Sequence, residues 1–294
     1  MFIAKSYIKR ISNVEIKTLR ENFKTQMIDI IEQIIKDKPM FNKKDFSFYY
    51  FDDTTLNTTT DEYPISNLYI EINQPKNVKE ISIEKKKYNV NTPELYFSLE
   101  EIKKSIKQSS VLNFDNNTLI WEDKFSINFA INVLNEESES KLTFYFRVIP
   151  CLTYKNNNNV NGIIYYNDNK SLIEIEYPKL SIFNYNIKNR ETNGLYSDYV
   201  VMFKNFFKTE KKVKELPFEI FETLLYNIPN QFFTDHSQQN ILTIINYMRN
   251  LSIKQYLSLD EQCCAFTSPY KSFSIIYAGH VINKLSNFIK KQTK

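Results

Sequence analysis

The sequence predicts an α+β fold in which a mixed β-sheet with a long N-terminal helix is followed by a helical half. Three patterns support this prediction. Apolar residues recur at helical spacing over residues 14–36. Apolar and polar residues alternate, as in half-buried strands, through much of residues 65–149. After Pro178 the periodicity is mainly helical to the end of the sequence.

Two helices are predicted in the first half. The helix over residues 14–36 carries an apolar stripe that needs a neighbour to cover it, formed by Ile16, Leu19, Phe23, Met27, Ile30, Ile31 and Ile34. A shorter helix begins at Ser98, because Glu101 three residues later completes a capping box. Ile102 and Ile106 are then expected to point inward.

The remaining elements divide the sequence into two lobes. Strands are predicted within residues 68–72, 81–83, 126–131, 142–146, 163–166 and 172–176, and helices near 197–208, 217–227, 238–251 and 271–291. We therefore expect a sheet-containing lobe at residues 1–178 and a helical lobe at residues 179–294.

Glycine is absent before Gly162, although an average use of about 7% predicts about eleven glycines in a stretch of that length. Dinucleotide-binding turns and P-loops need backbone that approaches a phosphate closely, and glycine normally provides it. The first half of the sequence therefore contains none of the usual glycine-rich phosphate loops.

Composition excludes several other classes of protein. The three cysteines form neither a disulfide framework nor a metal-binding spacing, and His236 and His280 are too few for a multi-histidine zinc site. No apolar run is long enough for a membrane span, so we expect a cytoplasmic protein with no membrane partner. A net charge of +4 is weak for a dedicated nucleic-acid binder, which remains a minor alternative.

One stretch of about ninety residues carries a set of ordered motifs. It runs from Phe144 to Phe233 and contains Phe146-Arg147-Val148-Ile149-Pro150-Cys151, Gly162-Ile163, Tyr177-Pro178-Lys179, Lys188-Asn189, Thr192-Asn193-Gly194, Lys204-Asn205, Pro217-Phe218, Glu222 and Asn227-Ile228-Pro229. In order and spacing these motifs resemble the cyclic GMP-AMP synthase-like and bacterial cyclic-oligonucleotide synthase family of nucleotidyltransferases. The resemblance implies a polymerase β-type palm followed by a helical lobe.

The resemblance also implies a particular chemistry. Members of this family use two Mg²⁺ ions, which are held by two aspartates spaced by one residue on a strand and by a third aspartate on a neighbouring strand. A Gly-Ser loop upstream of the paired aspartates holds the triphosphate. A protein with this chemistry therefore needs three carboxylates and a small, flexible loop.

This sequence departs from each of those requirements. Asn67 and Tyr69 occupy the positions of the paired aspartates, and Arg147 occupies that of the third. The loop would fall near Ser47-Phe48-Tyr49, which contains no glycine. The resemblance therefore implies a pseudoenzyme with no metal cofactor. The alternative is an active Mg²⁺-dependent enzyme with carboxylates from elsewhere, such as Asp52, Asp53 or Glu71.

Binding is the function that such a protein could retain. The resemblance suggests Lys204, Ser197 and Tyr177 as candidate nucleotide-binding residues. It also implies a protein partner, either an active relative or an effector, in nucleotide-second-messenger antiviral signalling. A nucleotide or oligonucleotide is a further possible ligand.

Two groups of charged residues allow more than one interpretation. Arg147 either pairs with Glu71 on the same sheet face and excludes Mg²⁺ by repulsion, or points to solvent. Glu174 and Glu176 share one face of a short strand, where a solvated side is a simpler explanation than a metal site.

Overall fold

The structure is a computed structural model that describes residues 14–36, 43–59, 65–72, 77–83, 86–92, 99–115, 118–135, 140–156, 158–166, 173–209, 219–266 and 275–292. Within these residues the predicted α+β class is confirmed, because a mixed sheet and an N-terminal helix precede a helical region.

The described part of the sheet has nine strands: β1 (Phe46–Tyr50), β2 (Ser66–Ile72), β3 (Asn77–Ile83), β4 (Lys86–Thr92), β5 (Thr118–Glu122), β6 (Ile127–Asn135), β7 (Ser140–Lys155), β8 (Asn161–Tyr166) and β9 (Ile173–Glu176). The long strand β7 organises the sheet. It pairs in parallel with β2 and antiparallel with β4, β6 and β8. β1 extends the sheet beyond β2, and β5 extends it beyond β6.

Two helices accompany the sheet, α1 (Val14–Lys36) and α2 (Leu99–Asn113). The predicted stripe of α1 is buried at Phe23, Met27, Ile30 and Ile31, and the ring of Phe23 stacks on that of Phe146 in β7 with 4.1 Å between centroids. Because side chains alternate along a strand, the residue after Phe146, Arg147, belongs to the opposite sheet face. The helix-packed face is therefore apolar, and the other face is available for polar residues.

The second half contains α3 (Pro178–Glu191), α4 (Leu195–Thr209), α5 (Ile220–Tyr226), α6 (Gln238–Asn250) and α7 (Ile275–Gln292). Its core is rich in aromatic rings from α4, which buries Tyr196, Tyr199, Phe203, Phe206 and Phe207. The oxygen of Ser237 caps α6 by accepting from the backbone N–H of Asn240.

Most predicted elements agree with the structure, and the differences have physical causes. Strands β1 and β5 were not predicted, because adjacent apolar residues interrupt the alternation in each of them. Strand β4 was not predicted either, because only Tyr88 and Val90 among its seven residues are apolar. Helix α3 was also missed, since polar residues interrupt its apolar pattern. The proposed cap at Ser98 and the predicted starts of the helices at 217 and 271 lie outside the described residues.

The structure divides into a sheet unit and a helical unit. The sheet unit contains the described residues of Asn13–Asp52 and Tyr63–Tyr177. The helical unit contains those from Pro178 onward and, in addition, the turn formed by residues 53–59. The boundary at residue 178 that we expect from the sequence would instead assign this turn to the sheet-containing lobe. No helix in the described part of the chain is long and apolar enough to cross a membrane.

Gly162 occupies a position in β8 that has no room for a side chain. A Cβ atom there would lie 2.6 Å from the ring of Tyr177 and 2.7 Å from the carbonyl oxygen of Glu176. The close approach of strand and ring therefore requires glycine.

We expect Gly162→Ala to lower the free energy of unfolding by about 1–3 kcal/mol, because the ring and the neighbouring backbone must move. Urea denaturation measures this loss. Gly279→Ala is the matched control: its Cβ would make an ordinary 3.5 Å contact with Ile253, and alanine favours the helix by up to about 1 kcal/mol. Equal stability of the two variants would contradict the close-approach argument.

Candidate functional site

The parallel pairing of β2 with β7 assembles a row of polar residues on one face of the sheet. Asn67 in β2 lies opposite Arg147 in β7, and Arg147 lies opposite Asn128 in β6. Tyr69 and Glu71 follow Asn67 at alternate positions and share its face. We call this surface, with Asn67, Tyr69, Glu71 and Arg147, the polar face.

Tyr69 is held by a hydrogen bond to the last residue of β9. Its hydroxyl donates to one carboxylate oxygen of Glu176 over 2.9 Å, and the hydroxyl of Tyr165 donates to the other oxygen over 2.9 Å. Burial, followed by the charge of Glu176, raises the pKa of both phenols well above the ordinary value. Both phenols therefore remain protonated, and each donates a hydrogen bond to one carboxylate oxygen of Glu176.

Tyr49 and Glu71 complete this part of the polar face. The rings of Tyr49 and Tyr69 are stacked, with 5.7 Å between their centroids. Burial raises the pKa of Tyr49, and electrostatic interactions with Cys151 and Glu71 raise it further. Glu71 is buried and accepts a 3.3 Å hydrogen bond from the hydroxyl of Thr153.

Arg147 was expected either to pair with Glu71 or to point to solvent, but its hydrogen-bond partner is Asn128. Its Nε donates to Oδ1 of Asn128 over 3.4 Å, and Nδ2 of Asn128 donates to Asp123 over 3.3 Å. Asp123 also accepts from the backbone N–H groups of Phe125 and Ser126. Burial acts to raise the pKa of Asp123, but these hydrogen bonds outweigh it and lower the pKa. The half-buried guanidinium thus belongs to a network that ends in an ionised carboxylate.

The polar face does not fit a pair of divalent cations. Mg²⁺ prefers carboxylate oxygens, whereas the three positions that the resemblance assigns to aspartates hold an amide, a phenol and a guanidinium. The carboxylates of Glu71 and Glu176 already accept hydrogen bonds from hydroxyl groups. Among the described residues there is no group of three or more His, Cys, Asp or Glu side chains that could hold a metal ion.

The residues expected to form a phosphate loop form a strand instead. Ser47, Phe48 and Tyr49 lie in β1, where Ser47 pairs with Glu71 and Tyr49 with Tyr69. The placement of the loop at these residues is therefore corrected. The turn that follows β1 is formed by residues 53–59, where Asn57 adopts a positive φ of 55°.

Two of the alternative carboxylates lie in ion pairs on different units. Asp52 is buried in the sheet unit, where it pairs with Arg20 at 3.0 Å and accepts from the backbone N–H of Asn67 at 3.1 Å. Asp53 belongs to the helical unit and pairs with Lys204 at 2.8 Å. Both carboxylates therefore already have a cationic partner.

Lys204 is the centre of a buried cluster in the helical unit. Its ammonium donates to Asp53 at 2.8 Å, to Glu222 at 2.6 Å and to the hydroxyl of Thr58 at 3.1 Å. Burial acts to lower the pKa of Lys204, but the charges of Asp53 and Glu222 outweigh it and raise the pKa. An ammonium has three donors, and these three acceptors match that number.

Ser197 and Tyr177 are also buried and engaged. The backbone N–H of Ser197 donates to Asn189 over 3.1 Å, and its hydroxyl donates to the carbonyl of Gly194 over 3.0 Å. The ring of Tyr177 packs against that of Tyr154. Nucleotide binding by Lys204, Ser197 and Tyr177 stays a prediction, and the structure gives each of them a packing or hydrogen-bonding role.

Sequence analysis missed two residues that hold the polar face together. Glu176 was assigned to a solvated strand side, but it accepts from two buried phenols. Asn128, which connects Arg147 to Asp123, was not singled out. No local motif marks these residues, because the contacts that decide their roles, Glu176 with Tyr69 and Asn128 with Arg147, join residues that are far apart in the sequence.

Comparison with known proteins agrees with this fold. Residues 183–290 match the family model described as the cGAS/DncV-like nucleotidyltransferase C-terminal helical domain. The chain is thus similar to the cGAS/DncV-like nucleotidyltransferases, which confirms the resemblance drawn from its motifs.

Individual relatives are distant in sequence. The cyclic nucleotide synthase CdnE01 of Staphylococcus haemolyticus is 25% identical in an alignment of 179 residues, which covers 55% of this chain and 58% of that protein. The chain thus spans less than two thirds of this relative. The Rhodothermus marinus CdnE c-UMP-AMP synthase has a TM-score of 0.73 at 15% identity, with 99% and 96% of the two chains covered. The Elizabethkingia meningoseptica CdnE cyclic dinucleotide synthase has a TM-score of 0.69 at 17% identity, with 97% of each chain covered.

We expect Lys204→Met to lower the free energy of unfolding by about 3–5 kcal/mol, because Glu222 would remain fully buried without its cation. The double variant Lys204→Met/Glu222→Leu removes the ammonium and the fully buried carboxylate, leaves only the part-exposed Asp53, and should recover much of the loss. Urea denaturation measures both effects, with the exposed Lys254→Met as control. A loss below about 1 kcal/mol for Lys204→Met would show that the cluster is not structural.

Proposed function

We propose that this protein is a catalytically inactive relative of the cyclic nucleotide synthases, which acts by binding a partner protein or a nucleotide. The observation that carries the proposal is the composition of the polar face. Asn67, Tyr69 and Arg147 stand where the resemblance places three metal-binding aspartates. Without those oxygens the two-metal reaction lacks its ligands.

The surroundings of these residues support the same conclusion. Tyr69 is fixed by Glu176, and Arg147 is fixed by Asn128. The guanidinium carries a permanent positive charge, which repels a divalent cation. The polar face therefore disfavours metal binding in two ways: it lacks the carboxylate ligands, and the guanidinium of Arg147 is positively charged.

The alternative is an active enzyme with unusual carboxylates, and the relationship to cyclic nucleotide synthases favours it. Against it, Asp52 and Asp53 are held by Arg20 and Lys204. Glu71 accepts from Thr153 and lies beside Tyr49. A rearrangement that freed any of these carboxylates would break an ion pair or a hydrogen bond that it makes in the structure.

An exposed aromatic patch supports the binding of a partner protein. Leu119 and Trp121 on β5 are 64% and 44% exposed, and Tyr145 on β7 is 42% exposed. The strand register places Leu119 and Tyr145 in one row, next to the row of Trp121 and Arg147. Aromatic residues and arginine are the side chains that most often dominate protein interfaces.

Related folds occur in assemblies, which is consistent with this proposal. An Escherichia coli CdnC has been solved in a complex with HORMA-deltaN, and a CdnE c-di-GMP synthase of Capnocytophaga granulosa is described as STING-associated. By analogy we place this protein in nucleotide-second-messenger antiviral signalling in the cytoplasm. Its partner would be an active relative or an effector.

A nucleotidyltransferase assay tests the loss of activity. With all four NTPs and either Mg²⁺ or Mn²⁺, we expect the protein to release pyrophosphate no faster than buffer alone. The Staphylococcus haemolyticus CdnE01 protein serves as the positive control. Metal-dependent release of pyrophosphate would instead establish the active alternative.

Restoring the carboxylates extends this test. We expect Asn67→Asp/Tyr69→Asp/Arg147→Asp to remain inactive, because the turn before β2 still contains no glycine to hold a triphosphate. Circular dichroism confirms that the variant is folded. Nucleotide turnover by this variant would refute the argument from the loop.

The aromatic patch makes a separate prediction. We expect Trp121→Ser/Leu119→Ser to change the free energy of unfolding by less than about 1 kcal/mol, because both side chains are substantially exposed. Thermal denaturation with Phe129→Ala as the buried control, for which about 3–5 kcal/mol is expected, measures the contrast. A large loss in the surface variant would mean that the patch packs within the protein and is not a binding surface.

A further inference from the structure

The helical unit contains a groove with a volume of about 330 Å³ between α3 and the end of α5. Lys188 and Glu191 of α3, Tyr226 and Asn227 at the end of α5, and Leu257 and Glu261 line it. Its volume lies within the usual range for small-ligand pockets, which is about 300–1,000 Å³. None of the residues discussed for the polar face takes part in it.

Lys188 is an unusual residue for such a groove. It is only 8% exposed, and its ammonium donates one hydrogen bond to the carbonyl of Ile228 over 2.5 Å. The rings of Tyr226 and Phe233 lie 5.7 and 5.3 Å from the nitrogen. Burial lowers the pKa of Lys188 to about 8, although the charge of Glu191 acts in the opposite direction. An ammonium has three donors, so a ligand with an acceptor atom could use the remaining ones.

The groove also offers acceptors. Glu191 accepts from Asn230 over 2.7 Å, and Glu261 accepts from the hydroxyl of Tyr226 over 2.5 Å. Each carboxylate has about four acceptor sites, so both retain capacity for N–H donors of a ligand. Burial raises the pKa of Tyr226, and both carboxylates raise it further, which indicates that both lie close to this ring.

These charges define which ligands fit. A phosphate or carboxylate ligand would meet Glu191 and Glu261, and a cationic ligand would meet Lys188. A neutral ligand with an acceptor and several N–H donors satisfies all three charged groups. Leu257 and Ile187 supply apolar walls for a ring.

We propose that this groove binds a guanine base, whose edge carries the O6 acceptor beside the N1–H and N2–H₂ donors. O6 accepts from the Lys188 ammonium, as it commonly does from lysine in nucleic-acid complexes. The N–H groups donate to the carboxylates of Glu191 and Glu261. This site is independent of the proposed loss of catalysis, since it uses no residue of the polar face.

Isothermal titration calorimetry of the full chain with nucleosides tests the site, and nucleosides avoid competition from phosphate contacts. We expect saturable binding of guanosine. Inosine lacks the N2 amino group and should bind about tenfold more weakly or worse, since a hydrogen bond to a charged group is lost. Adenosine and cytidine should also bind more weakly than guanosine.

Variants identify the groove as the binding site. Lys188→Met and Glu191→Gln/Glu261→Gln should each weaken guanosine binding at least about tenfold. Lys254→Met, at an exposed lysine of the same unit, should leave it unchanged. If Lys188→Met does not fold, the comparison of guanosine with inosine on the unaltered protein decides the question.

The pH dependence gives an independent readout. Guanosine affinity should fall severalfold as the pH rises from 7 to 8.5, because Lys188, with a pKa of about 8, loses its proton. Glu191, Glu261 and Tyr226 face this amine, and burial raises the pKa of Tyr226, so its phenol keeps its proton over this range. Lys188→Arg, which stays charged, should show no such fall.

Several results would overturn the proposal. They are the absence of saturable guanosine binding, equal binding of guanosine and inosine, and unchanged affinity in Lys188→Met. Each result is separate from the pyrophosphate assay, so the groove and the polar face can succeed or fail independently.

Discussion

The parallel pairing of β2 with β7 is the constraint on which the polar face depends. It places Asn67 beside Arg147, and alternation along β2 then fixes the side of Tyr69 and Glu71. A shift of one residue would move all of them to the helix-packed face, where Phe23 and Phe146 leave no room for charge. The apolar packing of α1 therefore maintains the register that defines the candidate site.

Several of the buried charges in the described residues are held in ion pairs. The adjacent residues Asp52 and Asp53 illustrate this, because Asp52 pairs with Arg20 and Asp53 pairs with Lys204. Because a buried charge without a partner is costly, neither member of such a pair is available to bind a metal or a ligand. Lys188 differs from these ion-paired residues, because its ammonium donates to the neutral carbonyl of Ile228 rather than to a carboxylate.

Much of the fold could be predicted from the sequence, because strong periodicity directly reflects burial. The stripe of α1 is an example. The alternation in β2 predicted a strand correctly, but it indicated a half-buried one, whereas all seven residues of β2 are buried. The family resemblance implied that Asn67, Tyr69 and Arg147 lie on neighbouring strands, and the pairing of β2 with β7 brings them to one face. The role of Glu176 could not be predicted, because it depends on contacts with distant strands. The absence of glycine was also an incomplete guide, since Asn57 adopts a positive φ without it.

The turn at residues 53–59 has a consequence for how such proteins can be recombined. It lies between two strands of the sheet unit in the chain, yet Asp53 and Thr58 supply acceptors for Lys204 of the helical unit. A chimaera joined only at residue 178 would place Lys204 and Glu222 against a turn from another protein. Functional exchange of helical halves among homologues therefore requires a second crossover, which carries this short turn along.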